Sequence, residues 1–193
     1  MTGTYYFVDQ SNAPHGYLFY GTDFTIQALV QIANVFYNAQ IACANGASAP
    51  GVLHLQAGYS PNAYNTDPVT NAPRTYTTPG TPKRLRITAM SLPWGGLNDV
   101  YGSWGPPHAT HSTGRVADLG WSDFQVKNAD PKPAWYMDLI YLLGAVILST
   151  PGASMPYSGE GGDLDKTLQD FTGTKTATTE GAANAHFHVQ FSS

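Results

Sequence analysis

The stretch HFHVQF, residues 186–191, alternates strictly between polar and apolar side chains. Successive side chains of a β-strand point to opposite faces, so this pattern predicts a strand with one apolar face. Phe187 and Val189 would anchor that face in a core. His186 and His188 would then lie together on the opposite face, beside a cleft.

Two other stretches predict strands that could join it in a sheet. RLRITAMSLP, residues 84–93, alternates and contains β-branched residues, and RVADLGW, residues 115–121, has a similar character. VLHLQAG, residues 52–58, predicts a further short strand. The strands are separated along the chain by helical patterns and by polar segments.

Two helices are predicted between these strands. Apolar residues recur at helical spacing from about Phe24 to about Ala42, with Thr22 or Asp23 as the N-cap and Gly46 as the stop. The second helix starts near Pro133 and continues through AWYMDLIYLLGAVILST, which is apolar nearly all round and therefore typical of a buried helix. Helices mixed with separated strands predict an α+β fold: a small antiparallel sheet flanked by helices, with long irregular loops.

Size and composition limit the classes of protein that remain. A chain of 193 residues fits a single domain, 1–193. A net charge of -4 without runs of Lys or Arg disfavours binding to nucleic acid or anionic membranes. No apolar run reaches the ~20 residues that a membrane span needs. The lone Cys43 is expected to be a small core residue, and it excludes zinc sites built from several thiolates.

Histidine clustering is the main functional signal. Four of the six histidines occur in two short groups: His108 and His111 within PPHATHSTGRVADLGW, residues 106–121, and His186 with His188. A divalent metal is the simplest explanation of this clustering. The other two histidines, His15 and His54, are expected to be ordinary surface or core residues.

A zinc site also requires a carboxylate and a bend. Fully extended, His111 and Asp118 would be separated by roughly 23 Å, so the chain must turn between them, and Gly114 permits the turn. His111 would then lie on a loop and Asp118 on the following strand. Two imidazoles, one carboxylate and one water make a tetrahedral zinc site with an open position, as catalytic sites have.

These residues resemble a known family. His111, Gly114 and Asp118 match the H-x-x-G-x-x-x-D motif of the LAS metallopeptidases, the lysostaphin, D-Ala-D-Ala peptidase and hedgehog-like group. The pair His186 and His188 matches their C-terminal H-x-H. HATHSTGRVAD, AHFHV and the upstream MSLPWGG look most like the penicillin-insensitive murein endopeptidases.

The resemblance implies a zinc peptidase that hydrolyses amide bonds in peptidoglycan peptides. It implies one Zn²⁺ per chain, held by His111, Asp118 and His188, with His186 as the catalytic group beside the metal. It also suggests a periplasmic or secreted enzyme, although MTGTYYFVDQ, residues 1–10, has no signal-peptide character. In relatives a Glu or His stands a few residues before the final pair, whereas residues 181–185 contain no titratable group. His108 is a second catalytic candidate, so the proton-transfer group remains open among His186, His108 and Glu180.

Two other functions remain as alternatives. One is a non-catalytic, zinc-stabilised binding domain of the hedgehog-like type, and the other is a metal hydrolase acting on another small amide or ester. The Pro-, Asn- and Thr-rich segment 59–83 is too long to be a simple connector. We expect it to wall the substrate groove, with Tyr59, Tyr64 and Tyr76 contacting the substrate; the alternative is a disordered insertion.

Overall fold

The computed structural model describes residues 5–8, 20–46, 62, 64–90, 113–121, 124, 132–156 and 185–192. This part of the chain contains two helices and one five-stranded sheet, which confirms the predicted α+β class. The elements are β1 (Tyr6–Val8), α1 (Asp23–Ala44), β2 (Leu85–Ala89), β3 (Val116–Gly120), α2 (Trp135–Leu148), β4 (Ala153–Ser154) and β5 (His186–Phe191).

The sheet is small and mostly antiparallel, as the sequence predicts. Its strand order is β1-β2-β3-β5-β4. The pairs β2–β3, β3–β5 and β5–β4 are antiparallel, and β1 adds to the edge in parallel with β2. The predicted strand at residues 52–58 lies outside the described residues.

Helix α1 begins and ends close to its predicted limits because its end signals are strong. The Thr22 side chain accepts a hydrogen bond from the Thr25 N–H at 3.2 Å, which makes Thr22 the N-cap. At the other end the Asn45 N–H donates to the carbonyls of Ile41 and Ala42. Gly46 follows with a φ of 86°, a left-handed conformation that favours glycine at a helix end.

The core lies on one face of the sheet, between the strands and the two helices. Helix α2 is buried along nearly its whole length, as its apolar sequence predicts. Cys43 on α1 is also a core residue, as predicted, and burial raises the pKa of its thiol to about 11, with a smaller contribution from the Asp138 carboxylate. The strand residues that join the helices in this core are odd-numbered: Leu85, Ile87, Ala117, Leu119, Phe187, Val189 and Phe191.

Two tyrosines in the described part of segment 59–83 belong to this core. Tyr64 is 2% exposed and Tyr76 is 5% exposed, and the Tyr76 hydroxyl donates to the Tyr64 carbonyl at 2.7 Å. The Tyr64 ring packs edge-on against Phe187 and directly over Gly144 of α2. The expectation that Tyr64 and Tyr76 contact a substrate is therefore wrong, because both rings are held on the helix side of the sheet. Tyr59 lies outside the described residues.

Hydrogen bonds between its main chain and side chains of α1 and α2 hold the same segment against both helices. The Thr77 N–H donates to the Asp138 carboxylate at 2.8 Å. The Gln40 amide bonds both the N–H and the carbonyl of Lys83, at 2.7 and 2.9 Å. These contacts replace the regular secondary structure that this Pro-rich stretch lacks.

Neither of the two helices in the described ranges is long and apolar enough to cross a membrane.

Candidate metal centre

The face of the sheet opposite the core carries three of the predicted site residues, Asp118, His186 and His188. Strands β3 and β5 are antiparallel neighbours, and their register places Asp118 opposite His188 and Gly120 opposite His186. Directly opposed residues in an antiparallel pair project to the same face. Since Leu119 enters the core, the even-numbered residues on either side of it must face away from the helices.

Asp118 lies between the two histidines. Its Oδ1 atom is 3.0 Å from Nδ1 of His188 and 3.8 Å from Nε2 of His186. The three residues are 5–7% exposed. Two residues far apart in sequence are thus joined by a short contact that depends only on strand register.

The predicted bend before β3 is also present. Gly114 has a φ of 69°, in the left-handed region where glycine is favoured. Its carbonyl accepts a hydrogen bond from the Thr22 N–H at 2.9 Å, which links the bend to the start of α1. Asp118 follows on β3, where the sequence places it.

His111, His108 and Glu180 lie outside the described residues. Within the described ranges, no group of three His, Cys, Asp or Glu side chains could by itself hold a metal ion. A metal held by Asp118 and His188 would therefore need a further ligand from elsewhere in the chain. His111 is the residue predicted for that position.

The described pair fits zinc in chemistry and spacing. A carboxylate and an imidazole are ordinary zinc ligands, and at metal–ligand distances of about 2.0–2.1 Å two tetrahedral ligands are about 3.3 Å apart. The observed 3.0 Å between Asp118 Oδ1 and His188 Nδ1 differs from this by only a few tenths of an ångström. In this structure the contact is a hydrogen bond that orients the imidazole of His188.

Arg86 is a residue on this face that the sequence analysis missed. It is 6% exposed and pairs with Gly120 across β2 and β3. An ideal Cβ on Gly120 would stand 3.4 Å from Nη1 and from Cδ of Arg86, so the arginine side chain lies over this glycine. The alternation of the sequence predicts this position: Leu85 and Ile87 are apolar, and in a strand Arg86 between them faces the opposite side.

The strand carrying Asp118 is also fixed from the β2 side. The Thr88 hydroxyl donates to the main-chain carbonyl of Asp118 at 3.2 Å. The register between β2 and β3 shifts at this point, between Ile87 and Ala89. Such an irregularity changes the direction of side chains locally and is common beside functional sites.

Comparisons with family models, curated proteins and solved structures found no match to this chain. The resemblance to LAS metallopeptidases thus depends on the sequence motifs quoted above.

Proposed function

We propose that the chain is a zinc-dependent peptidase that hydrolyses amide bonds in peptidoglycan peptides, similar to the penicillin-insensitive murein endopeptidases. The observation that carries the proposal is the contact between Asp118 and His188 across β3 and β5, with His186 beside them. These residues belong to two motifs separated by 70 positions. Their convergence on one polar face is what a metal site assembled from both motifs requires.

In this proposal Asp118 and His188 bind one Zn²⁺ together with His111. When bound, zinc acts as a Lewis acid on the substrate carbonyl and lowers the pKa of a coordinated water toward about 7. His186 accepts a proton from the attacking water or donates a hydrogen bond to the carbonyl oxygen. The products are a carboxylate and an amine, and His186, His108 or Glu180 delivers the proton that the leaving amine needs.

A second function has one observation in its favour. The site residues Asp118, His186 and His188 are almost fully buried, which suits a zinc-stabilised binding domain without catalysis. In that case the metal would hold the sheet together, and His186 would be a fourth ligand. For either function, the proposed location is the periplasm or the outside of the cell, where peptidoglycan is found.

The test is digestion of purified peptidoglycan by the zinc-loaded protein, followed by analysis of the released muropeptides. We expect release that stops with a chelator and returns when zinc is restored. A chain with His188→Ala should be inactive, and a chain with His54→Ala should be active, because His54 is not in the proposed ligand set. Binding to peptidoglycan without release would favour the binding domain. Hydrolysis confined to small amides or esters would favour a metal hydrolase of another specificity.

A further inference from the structure

Thr88 lies where the register between β2 and β3 shifts, and it contacts two residues of β3. We propose that Thr88 and Gly120 together position Asp118. The Thr88 hydroxyl holds the main chain of Asp118, and Gly120 leaves the space that the Thr88 methyl group needs. This inference depends on the proposed function, in which Asp118 is a zinc ligand, and it adds two positioning residues to that site.

The first argument is the hydrogen bond across the register shift. Ile87 pairs with Leu119 and Ala89 pairs with Asp118, so between these two described strands no residue of β3 stands opposite Thr88. An extra residue of this kind bends its strand and changes the direction of nearby side chains. The Thr88 hydroxyl donates to the Asp118 carbonyl at 3.2 Å. This bond fixes the main chain of Asp118 at the point where the pairing is interrupted.

The second argument is the space at Gly120. The φ of Gly120 is not in the left-handed region, so its backbone conformation alone does not require glycine. An ideal Cβ there would stand 2.8 Å from Cγ2 of Thr88, whereas the next nearest atoms, Cδ and Nη1 of Arg86, are 3.4 Å away. Glycine within a strand often marks a close approach of another group. Here the group that approaches is the Thr88 methyl.

The two contacts of Thr88 depend on one torsion angle. Oγ1 and Cγ2 are both attached to Cβ, and a β-branched side chain has few favourable χ1 values. A side chain at Gly120 that displaced Cγ2 would rotate χ1 and take the hydroxyl away from the Asp118 carbonyl. The hydroxyl contact and the glycine therefore act together on Asp118.

The carboxylate of Asp118 is sensitive to such a change. Its Oδ1 atom lies 3.0 Å from Nδ1 of His188, and the two groups belong to different strands. The residues of a metal site must be held within about 0.5 Å of their working geometry. A change in main-chain direction at Asp118 moves Oδ1 relative to His188 and weakens zinc binding. Loss of a group that supports a metal ligand typically lowers metal affinity about 10- to 100-fold.

The experiment measures zinc affinity by competition with a chelator and the absorption spectrum of the Co²⁺-loaded protein, which reports ligand geometry. In the metal-free protein, the chemical shifts of the His188 ring nitrogens report the hydrogen bond to Asp118, and urea unfolding reports stability. Thr88→Val keeps the shape of the side chain and removes the hydroxyl. We expect it to bind zinc about 10- to 100-fold more weakly, to change the Co²⁺ spectrum and to shift the His188 signals.

Gly120→Ala should have the same effects, because its Cβ would meet the Thr88 methyl group. Thr88→Ser keeps the hydroxyl and should bind zinc nearly as the unmodified chain does. The double variant Thr88→Ser with Gly120→Ala removes the methyl group that the new Cβ would meet. It should recover most of the zinc affinity that Gly120→Ala loses, which is the non-additivity expected of residues in contact.

Thr78→Val is the matched control. The Thr78 hydroxyl also donates to a main-chain carbonyl at 3.2 Å, that of Gln40, away from the site. This variant should keep the zinc affinity, the Co²⁺ spectrum and the His188 signals of the unmodified chain. An equal loss of zinc affinity in Thr78→Val and Thr88→Val would overturn the proposal, because the effect would then be one of general stability.

Two further results would contradict the positioning role. One is unchanged zinc affinity with unchanged His188 signals in Thr88→Val, and the other is no recovery in the double variant. If the unmodified chain binds zinc but releases no muropeptides, the peptidase proposal fails and the zinc affinities still decide the role of Thr88. If the chain binds no zinc, the metal centre fails and the His188 signals decide. If Gly120→Ala does not fold, Thr88→Val and Thr88→Ser decide by the same criteria.

Discussion

At the scale of single residues, Asp118 connects the two motifs. Its Oδ1 atom faces one imidazole at 3.0 Å and a second at 3.8 Å. The shorter contact is a hydrogen bond, and the longer one only brings the second imidazole near. The proposal assigns His188 as a ligand and His186 as a proton carrier, and these two roles need separate tests.

The ligand role of His188 can be tested by metal analysis. We expect about one zinc per chain in the unmodified protein and a large loss in His188→Ala, because one of three protein ligands is removed. His54→Ala, which removes an imidazole outside the proposed ligand set, should retain its zinc. Full zinc occupancy in His188→Ala would exclude His188 from the site.

The role of His186 requires separate measurements of zinc content and turnover. For His186→Ala we expect near-normal zinc and a fall in peptidoglycan hydrolysis of roughly 10²- to 10⁴-fold, the usual contribution of a general acid or base. The physical reason is that His186 Nε2 is 3.8 Å from Asp118 Oδ1, so a metal held by Asp118 would have this imidazole beside it. A variant that lost its zinc and unfolded would instead indicate a structural site, and the binding-domain function would become the better explanation.

At the scale of elements, the sequence predicts the long periodic segments and misses the short ones. Helices α1 and α2 and strands β2, β3 and β5 each show several repeats of an apolar pattern, which is enough to identify them. Strands β1 and β4 contain three and two residues, too few to display a period. Their positions depend on pairing with β2 and β5, which only the tertiary structure reveals.

Local sequence patterns also do not reveal two features of the site and the core: the strand register and the burial of isolated aromatic residues. The resemblance to LAS metallopeptidases implies that Asp118 meets the two histidines, but it does not give the strand register that brings them together. The polar neighbours of Tyr64 and Tyr76 predict a position at a surface groove, whereas both rings are buried. Isolated aromatic residues in an irregular segment give no periodic signal, although large apolar rings are among the groups that gain most from burial.

Packing of Tyr64 against α2 can be tested with glycine and tyrosine variants. A Cβ at Gly144 would overlap the Tyr64 ring, with Cε1 only 2.7 Å away, so we expect Gly144→Ala to destabilise the protein by about 1–3 kcal/mol. Tyr64→Ala should cost about 3–5 kcal/mol through loss of a large buried side chain. Urea unfolding measures both. Gly80→Ala is the control, because no atom lies within 4 Å of a Cβ there. If both Gly144→Ala and Tyr64→Ala had wild-type stability, the Tyr64 ring would not be packed against α2.

At the scale of the whole molecule, the described sheet has the apolar core on one face and the candidate site residues on the other. The apolar residues of β3 and β5 join both helices in the core, while Asp118, His186 and His188 lie on the opposite face. The core of the described part contains large side chains such as Phe36, Trp121 and Tyr136, all fully buried. Burial of this kind is the main source of folding free energy. The described fold therefore has a source of stability that does not depend on a metal ion.

This separation gives a prediction for metal removal. A ligand that binds only the folded state adds stability of RT ln(1 + [L]/Kd), about 2.7 kcal/mol at a hundredfold excess over Kd. We expect chelation to lower the Tm by an amount that depends on free zinc, and to leave a cooperatively folded protein with its helical circular dichroism. His188→Ala should show the Tm of the chelated protein and no response to zinc, and His54→Ala should respond like the unmodified chain. Complete unfolding on chelation would mean that the metal holds the sheet together, as in a structural zinc site.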